Sequence, residues 1–274
     1  MMPALFLLFI VLMIRSLTLE GAWEGVKFFL KPNFSNMNGE TILLALGQAF
    51  FALSVGISVM VTYASYLSKE ENMVKSALSV SALNVFICIL AGLVIFPAVF
   101  ALGFEPGAGP GLVFVVLPAV FNEIAFGGIF LTIFLLLLLF ATLTSAFSIL
   151  EIVVASIAKD RTEKRKSIAW KSGLLIFLVG VPSALSFGVL SDVMLFGKTI
   201  FDFADYLVSN LALPLGALFI SIFIGYKIPR NLVKQELEQG TKGIGLLFDI
   251  WYLLIRYIVP IAIIAVFLNT IGFL

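Results

Sequence analysis

The stretch from residue 41 to 68, TILLALGQAFFALSVGISVMVTYASYLS, carries no charged side chain. A run of that length is enough to cross a bilayer, which takes about 20 apolar residues in a helix. Its middle, Leu53-Ser54-Val55-Gly56-Ile57-Ser58, is built of small, β-branched and glycine residues. Such residues weaken a helix. The run is therefore expected to break at membrane depth. Unwound backbone there is tolerated only against protein or around a water-filled cavity. A chain with this feature has to fold as a helical bundle around the break.

Composition agrees with a lipid environment. Of 274 residues, 61% are hydrophobic and 12% charged, against about 25% charged in a soluble domain. The net charge of +1 gives no argument for nucleic acid. The single cysteine, Cys88, excludes a disulfide framework within the chain and any multi-cysteine metal site. Histidine is absent, and with it the commonest general base and metal ligand. An intramembrane hydrolase or transferase needs a nucleophile–base pair or facing acids. These residues supply neither, so the chain is read as not an enzyme.

Charge-free stretches at 41–68, 76–104, 124–150, 172–191 and 206–226, and a last one ending at Leu274, mark the spans. Met1 to Ile14 is also apolar but short, and is read as a helix that begins at or before the start of the chain. It lacks the basic lead and cleavage site of a signal peptide. Seven crossings result. Lys69, Lys75, Lys159, Arg161, Lys164, Arg165, Lys166, Lys171, Lys227, Arg230, Lys234 and Lys242 then share one side, against Arg15, Lys27, Lys31 and Lys198 on the other. Cytoplasmic loops collect lysine and arginine, which puts the N-terminus in the cytoplasm and the C-terminus outside. The outer connection from Phe100 to Gly127 is too apolar for a free loop. Short helices folding back as a lid are expected there, the alternative being a segment that simply packs on the spans.

Few residues in the spans could carry chemistry. Ala141, Thr144 and Ser145 stand at i, i+3 and i+4 and so share one helix face. Two hydroxyls and a carbonyl make a set of hard oxygen donors suited to an ion such as sodium. The competing reading is that the hydroxyls only bond back to carbonyls one turn earlier. Glu151, an intramembrane acid, is either functional or a structural acid paired with an arginine or backbone amides. Asn84 offers a side-chain carbonyl to an ion or to a neighbouring helix. Asp202 and Asp205 suit the first turn of a helix by its dipole. Cys88 is read as packing.

Together these segments resemble the neurotransmitter:sodium symporter family, which has the leucine-transporter fold. GQAFFALSVGISVMVTYASYL (47–67) is similar to that family's broken sixth helix and LLFATLTSAFSILE (138–151) to its eighth. MPALFLLFIVLMIR (2–15) resembles its fifth and DFADYLVSNLALPLGALFISIFIG (202–225) its tenth. The resemblance implies an all-α integral membrane fold, 1–274 as a single transmembrane domain. Residues 1–20 would be the clipped first helix, 41–226 a complete second five-helix inverted repeat, and 248–273 the last helix. Nothing resembles the family's first four helices.

The resemblance also implies roles. The carbonyl of Ala141 and the hydroxyls of Thr144 and Ser145 correspond to ligands of one sodium ion. Ala52, by its carbonyl, and Asn84 correspond to ligands of the other; the family usually has serine or threonine at the Ala52 position. Phe51, Ser54, Ile57, Ser145 and Ile149 match positions lining the amino-acid pocket. Gln48 and Asp205 match outer-gate positions, and Tyr66 a cytoplasmic-gate tyrosine. Cys88 stands where relatives carry a serine for chloride or an acid replacing it, so chloride use stays open.

The reading is the carboxy-terminal portion of a sodium-coupled amino-acid symporter in the cell's inner (plasma) membrane. Phe51, Ile57 and Ile149 suggest a hydrophobic or aromatic substrate. Its partners would be lipid, the amino acid and the missing amino-terminal helices, from the same gene or a second chain. The alternative is a non-transporting membrane subunit or remnant that keeps one repeat of the fold.

Overall fold

A computed structural model describes residues 2–31, 34, 37–68, 70–106, 109–123, 125–159, 161–238, 245–270 and 273. Lys69, Lys242, Asp160 and residues 271 and 272 of the expected last helix lie outside the described residues. In chain order the helices are α1 (Met2–Leu17), α2 (Ala22–Leu30), α3 (Gly39–Ala52), α4 (Val59–Ala64) and α5 (Met73–Ala101). After them come α6 (Leu112–Asn122), α7 (Gly127–Ala158), α8 (Thr162–Leu185), α9 (Ile200–Lys227), α10 (Arg230–Glu238) and α11 (Gly245–Asn269). Among the described residues, α5, α7, α8, α9 and α11 are each long and apolar enough to cross a membrane. The bent pair α1–α2, which turns by 118°, makes a sixth candidate. The run 41–68, read from the sequence as a further crossing, is the pair α3–α4, of which α3 is a shorter apolar helix.

The chain divides into two compact units, residues 1–36 with 81–147, and residues 37–80 with 148–274. In the first, Leu12, Val94, Ala98, Val99, Leu117, Val120, Phe121, Phe134 and Leu137 form the core. Val99 and Val120 have no exposed surface. Residues 117–121 of the outer connection, in the short helix α6, are thus part of this core. Residues 107 and 108 of that connection lie outside the described ones. Close approach of α2 to α5 needs glycine: a Cβ on Gly25 would lie 2.3 Å from the carbonyl oxygen of Phe96, and one on Gly92 would meet the Phe29 ring. Pro97 sits inside α5 at this contact, where its missing N–H loosens the helix.

The second unit is held by main-chain proximity as much as by side chains. α9 and α11 contain widened π turns at Tyr206–Ala212, Phe223–Lys227 and Leu254–Ile258. Hydroxyls of the facing helix occupy carbonyls at the last two of these turns. Ser221 Oγ donates to the Ile255 carbonyl at 2.6 Å, Tyr226 to that of Arg256 at 3.1 Å, and Tyr252 to that of Gly225 at 3.1 Å. A small antiparallel hairpin pairs Met194–Leu195 with Lys198–Thr199. Phe196 and Gly197 at its tip both have positive φ (51° and 79°), as a two-residue type I′ turn requires.

Candidate functional site

The helix breaks where the sequence weakens it. α3 stops at Ala52 and α4 starts at Val59. Between them Ser54 (φ 52°), Gly56 (φ 102°) and Ser58 (φ 67°) take left-handed backbone. Only glycine does so freely, so the two serines hold conformations that need support. That support is α9. A Cβ on Gly56 would fall 2.3 Å from the Leu213 carbonyl oxygen and 2.8 Å from the Ala217 nitrogen. A Cβ on Gly216 would fall 2.3 Å from the Gly56 carbonyl oxygen. Two glycines, one on each element, let backbone meet backbone.

The hydrogen bonds that remain at the break are short-range. Ser54 N donates to Phe51 O (3.0 Å), Val55 N to Phe50 O (2.9 Å) and Ile57 N to Ser54 O (3.4 Å). Among the described residues, the carbonyls of Ala52, Leu53, Val55 and Gly56 accept no hydrogen bond. Ala52 and Ser54 are half-buried, and so is Ile57, whereas Phe51 and Gln48 are exposed. The break therefore presents carbonyl oxygens beside apolar side chains.

α7 supplies oxygen in a different manner. It is continuous through Ala141, Thr144 and Ser145. Thr144 Oγ1 donates to the Ala141 carbonyl at 2.7 Å. This is the back-bond of the competing reading. Ser145 is exposed, as is Ile149 one turn on. Ala141, Thr144, Ser145 and the half-buried Asn84 lie in the first unit, whereas Ala52, Phe51, Ser54, Ile57, Ile149, Gln48, Tyr66, Glu151 and Asp205 lie in the second.

Glu151 is paired. Its Oε1 accepts from the Tyr66 hydroxyl at 2.5 Å and meets Arg165 Nη2 in an ion pair. One turn earlier, Tyr63 donates to Ser148 Oγ at 2.7 Å. These contacts tie α4 to α7 and α7 to α8 at the end where the basic turn lies. Sequence reasoning singled out Glu151 and Tyr66 but not Arg165 or Ser148. Arg165 sits in a basic cluster read for orientation; the short link between α7 and α8 was the signal that it could fold back onto Glu151.

At the other end of the second unit, Thr199 caps α9, with Asp202 N donating to Thr199 Oγ1 at 3.1 Å and Thr199 Oγ1 donating to Asp202 Oδ2 at 2.7 Å. Ser209 Oγ donates to Asp205 Oδ1 at 2.9 Å. The first-turn reading of Asp202 holds. Both acids also line an open cavity of about 430 Å³, together with Lys198, Tyr206 and Asn210. Cys88 is exposed on the chain's surface. Among the described residues no cluster of histidine, cysteine and acids suits a transition metal.

A model of the sodium:neurotransmitter symporter family matches residues 1–273. The chain belongs to this family. Among its relatives in the symporter family is an uncharacterized sodium-dependent transporter, YhdH, of Bacillus subtilis strain 168. It is 58% identical over all 274 residues of this chain and 61% of its own length. A sodium-dependent transporter of Haemophilus influenzae is 40% identical over 98% of this chain and 58% of its own length. The crystal structure of MhsT in complex with L-phenylalanine superposes with a TM-score of 0.86 at 44% identity, covering 98% of this chain and 61% of that one. The leucine-transporter-type fold is thereby shared. The chain spans about three-fifths of the length of these relatives. As a member of the symporter family with several apolar spans, it is a multi-pass membrane protein.

Proposed function

We propose that this chain forms the carboxy-terminal part of a sodium-coupled symporter for a hydrophobic or aromatic amino acid, acting in transport and not as an enzyme. The observation that carries the reading is the break at residues 53–58, with unpaired carbonyls beside Ile57 and Phe51. Broken helices place such oxygens where ions and zwitterions bind in transporters. Ala141, Thr144 and Ser145 would hold one sodium ion, and Ala52 and Asn84 the other. Phe51, Ser54, Ile57, Ser145 and Ile149 would line the substrate pocket. Gln48 and Asp205 would work the outer gate. Tyr66, held through Glu151, would work the inner one. The names of relatives as sodium-dependent transporters, and the L-phenylalanine in the MhsT complex, support this choice of ion and solute.

Coupling in this reading is a matter of differential affinity. Sodium favours whichever gate arrangement offers it more oxygen ligands, by no more than the difference in its binding to the two. The N-terminus is cytoplasmic and the C-terminus outside, in the plasma membrane. The four helices that the family places before this segment come from the same gene or a second chain.

The test joins the amino-terminal helices of the Bacillus relative to this chain and measures L-phenylalanine uptake into proteoliposomes. Sodium-dependent uptake is expected. Its loss on replacing Thr144 and Ser145 together by alanine supports the site. Uptake whose sodium dependence survives that double substitution would overturn it. The rival, a non-transporting remnant, predicts that the joined protein takes up nothing, although it folds.

A further inference from the structure

We propose that Arg256 holds the phosphate of an anionic phospholipid at the membrane interface where α9 ends. Three arginines of the second unit invite comparison. Arg165 pairs with Glu151. Arg230 lies over the Phe248 and Tyr252 rings and also pairs with Asp249 at 2.5 Å. Arg256 has the rings without the acid. Its guanidinium carbon is 4.8 Å from the Tyr226 ring centre and 5.4 Å from that of Tyr257. Among the described residues it has no carboxylate partner, and its Nε is buried without a hydrogen bond.

Its depth is set by packing. Arg256 lies well inside the apolar helix α11, but a Cβ on Gly225 would come within 3.1 Å of its Cα. Tyr226 donates its hydroxyl to the Arg256 carbonyl. Arg256 is therefore level with Gly225 and the exposed Lys227, the last residues of α9. That is the interface on the side of the basic turn at residues 159–166, since α8 and α9 cross once each in between. Tyr226 and Tyr257 are each about half exposed (52% and 51%), as tyrosines of a membrane-interface belt are. A guanidinium fixed between them presents its outer N–H groups in a fork that fits a phosphate. Lys227, exposed near the same end of α9, adds positive charge at this level. Basic pockets between spans on this side of a bilayer suit anionic headgroups.

The experiment uses the full chain, purified in detergent and exposed to equal amounts of phosphatidylglycerol and phosphatidylcholine. Retained lipid is counted by native mass spectrometry. One phosphatidylglycerol is expected to stay in preference to phosphatidylcholine. Arg256→Gln is expected to weaken its retention at least tenfold, beyond the roughly fivefold that one basic residue contributes near an anionic surface. Lys166→Gln, which removes the same charge elsewhere on the same side, is expected to stay within that fivefold. If Arg256→Gln does not fold, Arg256→Lys keeps the charge and loses the fork, and an intermediate loss of retention is expected. Equal retention by Arg256→Gln, an equal loss in Lys166→Gln, no preference for phosphatidylglycerol, or its displacement by inorganic phosphate would each overturn the proposal. None of these outcomes bears on the transport reading, because Arg256 is not among the residues assigned to sodium, substrate or gates.

Discussion

The broken pair α3–α4 and the unbroken helix α7 present oxygen atoms by opposite means. The break frees main-chain carbonyls by abandoning the helix, and it depends on a neighbour to survive. Gly56 and Gly216 let α9 close on it. α7 keeps all its helical bonds and offers hydroxyls on a face, so it needs no neighbour to hold its shape. A carbonyl made available by unwinding is costly to support and hard to replace. A hydroxyl displayed on a helix is cheap to support and easily removed. Substitutions should therefore hurt stability at the break and hurt ligand binding on α7.

The largest effect is expected at Gly56. Gly56→Ala combines an unfavourable positive φ with a clash against Leu213 and Ala217. It should lower stability by about 3 kcal/mol or more, read as a shift in the denaturation midpoint in micelles. A shift no larger than that of a surface substitution would show that α9 does not hold the break. Next, the Thr144→Ala/Ser145→Ala double variant should change stability by less than about 1 kcal/mol, since transmembrane hydroxyl bonds average near 0.6. In the joined protein it should weaken sodium dependence at least tenfold, about 1.4 kcal/mol. Large unfolding with intact sodium dependence would reverse the contrast drawn above.

A third test concerns the ends that both spans share. Glu151→Gln leaves Arg165 without its ion partner and weakens the Tyr66 contact. It should lower the melting temperature more than Tyr66→Phe, which removes a single hydroxyl. The order reversed would mean that the Tyr66 bond, which ties α4 to α7, matters more than the ion pair, which ties α7 to α8. Ala52→Thr makes the break resemble α7 by adding a hydroxyl at its edge. It should raise sodium affinity about threefold, well under the 1.4 kcal/mol that a tenfold change requires, measured by sodium titration of substrate uptake. The smallest effect is expected from Ser221→Ala, which removes one cross-helix bond to the Ile255 carbonyl. A loss of about 0.6 kcal/mol would place it among ordinary transmembrane hydrogen bonds.

Much of the fold was legible because the period and length of apolar runs are local properties. The six runs and the apolar start correspond to α1, the broken pair and the five long helices, whereas α2 was not read. The break was readable for the same reason, since Ser54, Gly56 and Ser58 weaken a helix wherever they are placed. The outer connection was readable only as too apolar to be free. That Leu117 and Val120 are core residues is a matter of what stands opposite them. The hairpin at residues 194–199 escaped notice because Phe196-Gly197 is a less familiar turn pair than Asn-Gly, though Gly197 was the available cue.

What the sequence alone determined is where helices must run and where one must fail, because hydrophobic length and backbone propensity are written residue by residue. It could name Glu151 as an acid in a span but left its partner open between an arginine and backbone amides. The tertiary structure decided that Arg165 meets it, that Gly216 receives Gly56, and that hydroxyls on α9 and α11 occupy the carbonyls of each other's widened turns. These are contacts between residues far apart in the chain or on separate helices. They depend on how close two backbones can come, which no local pattern encodes.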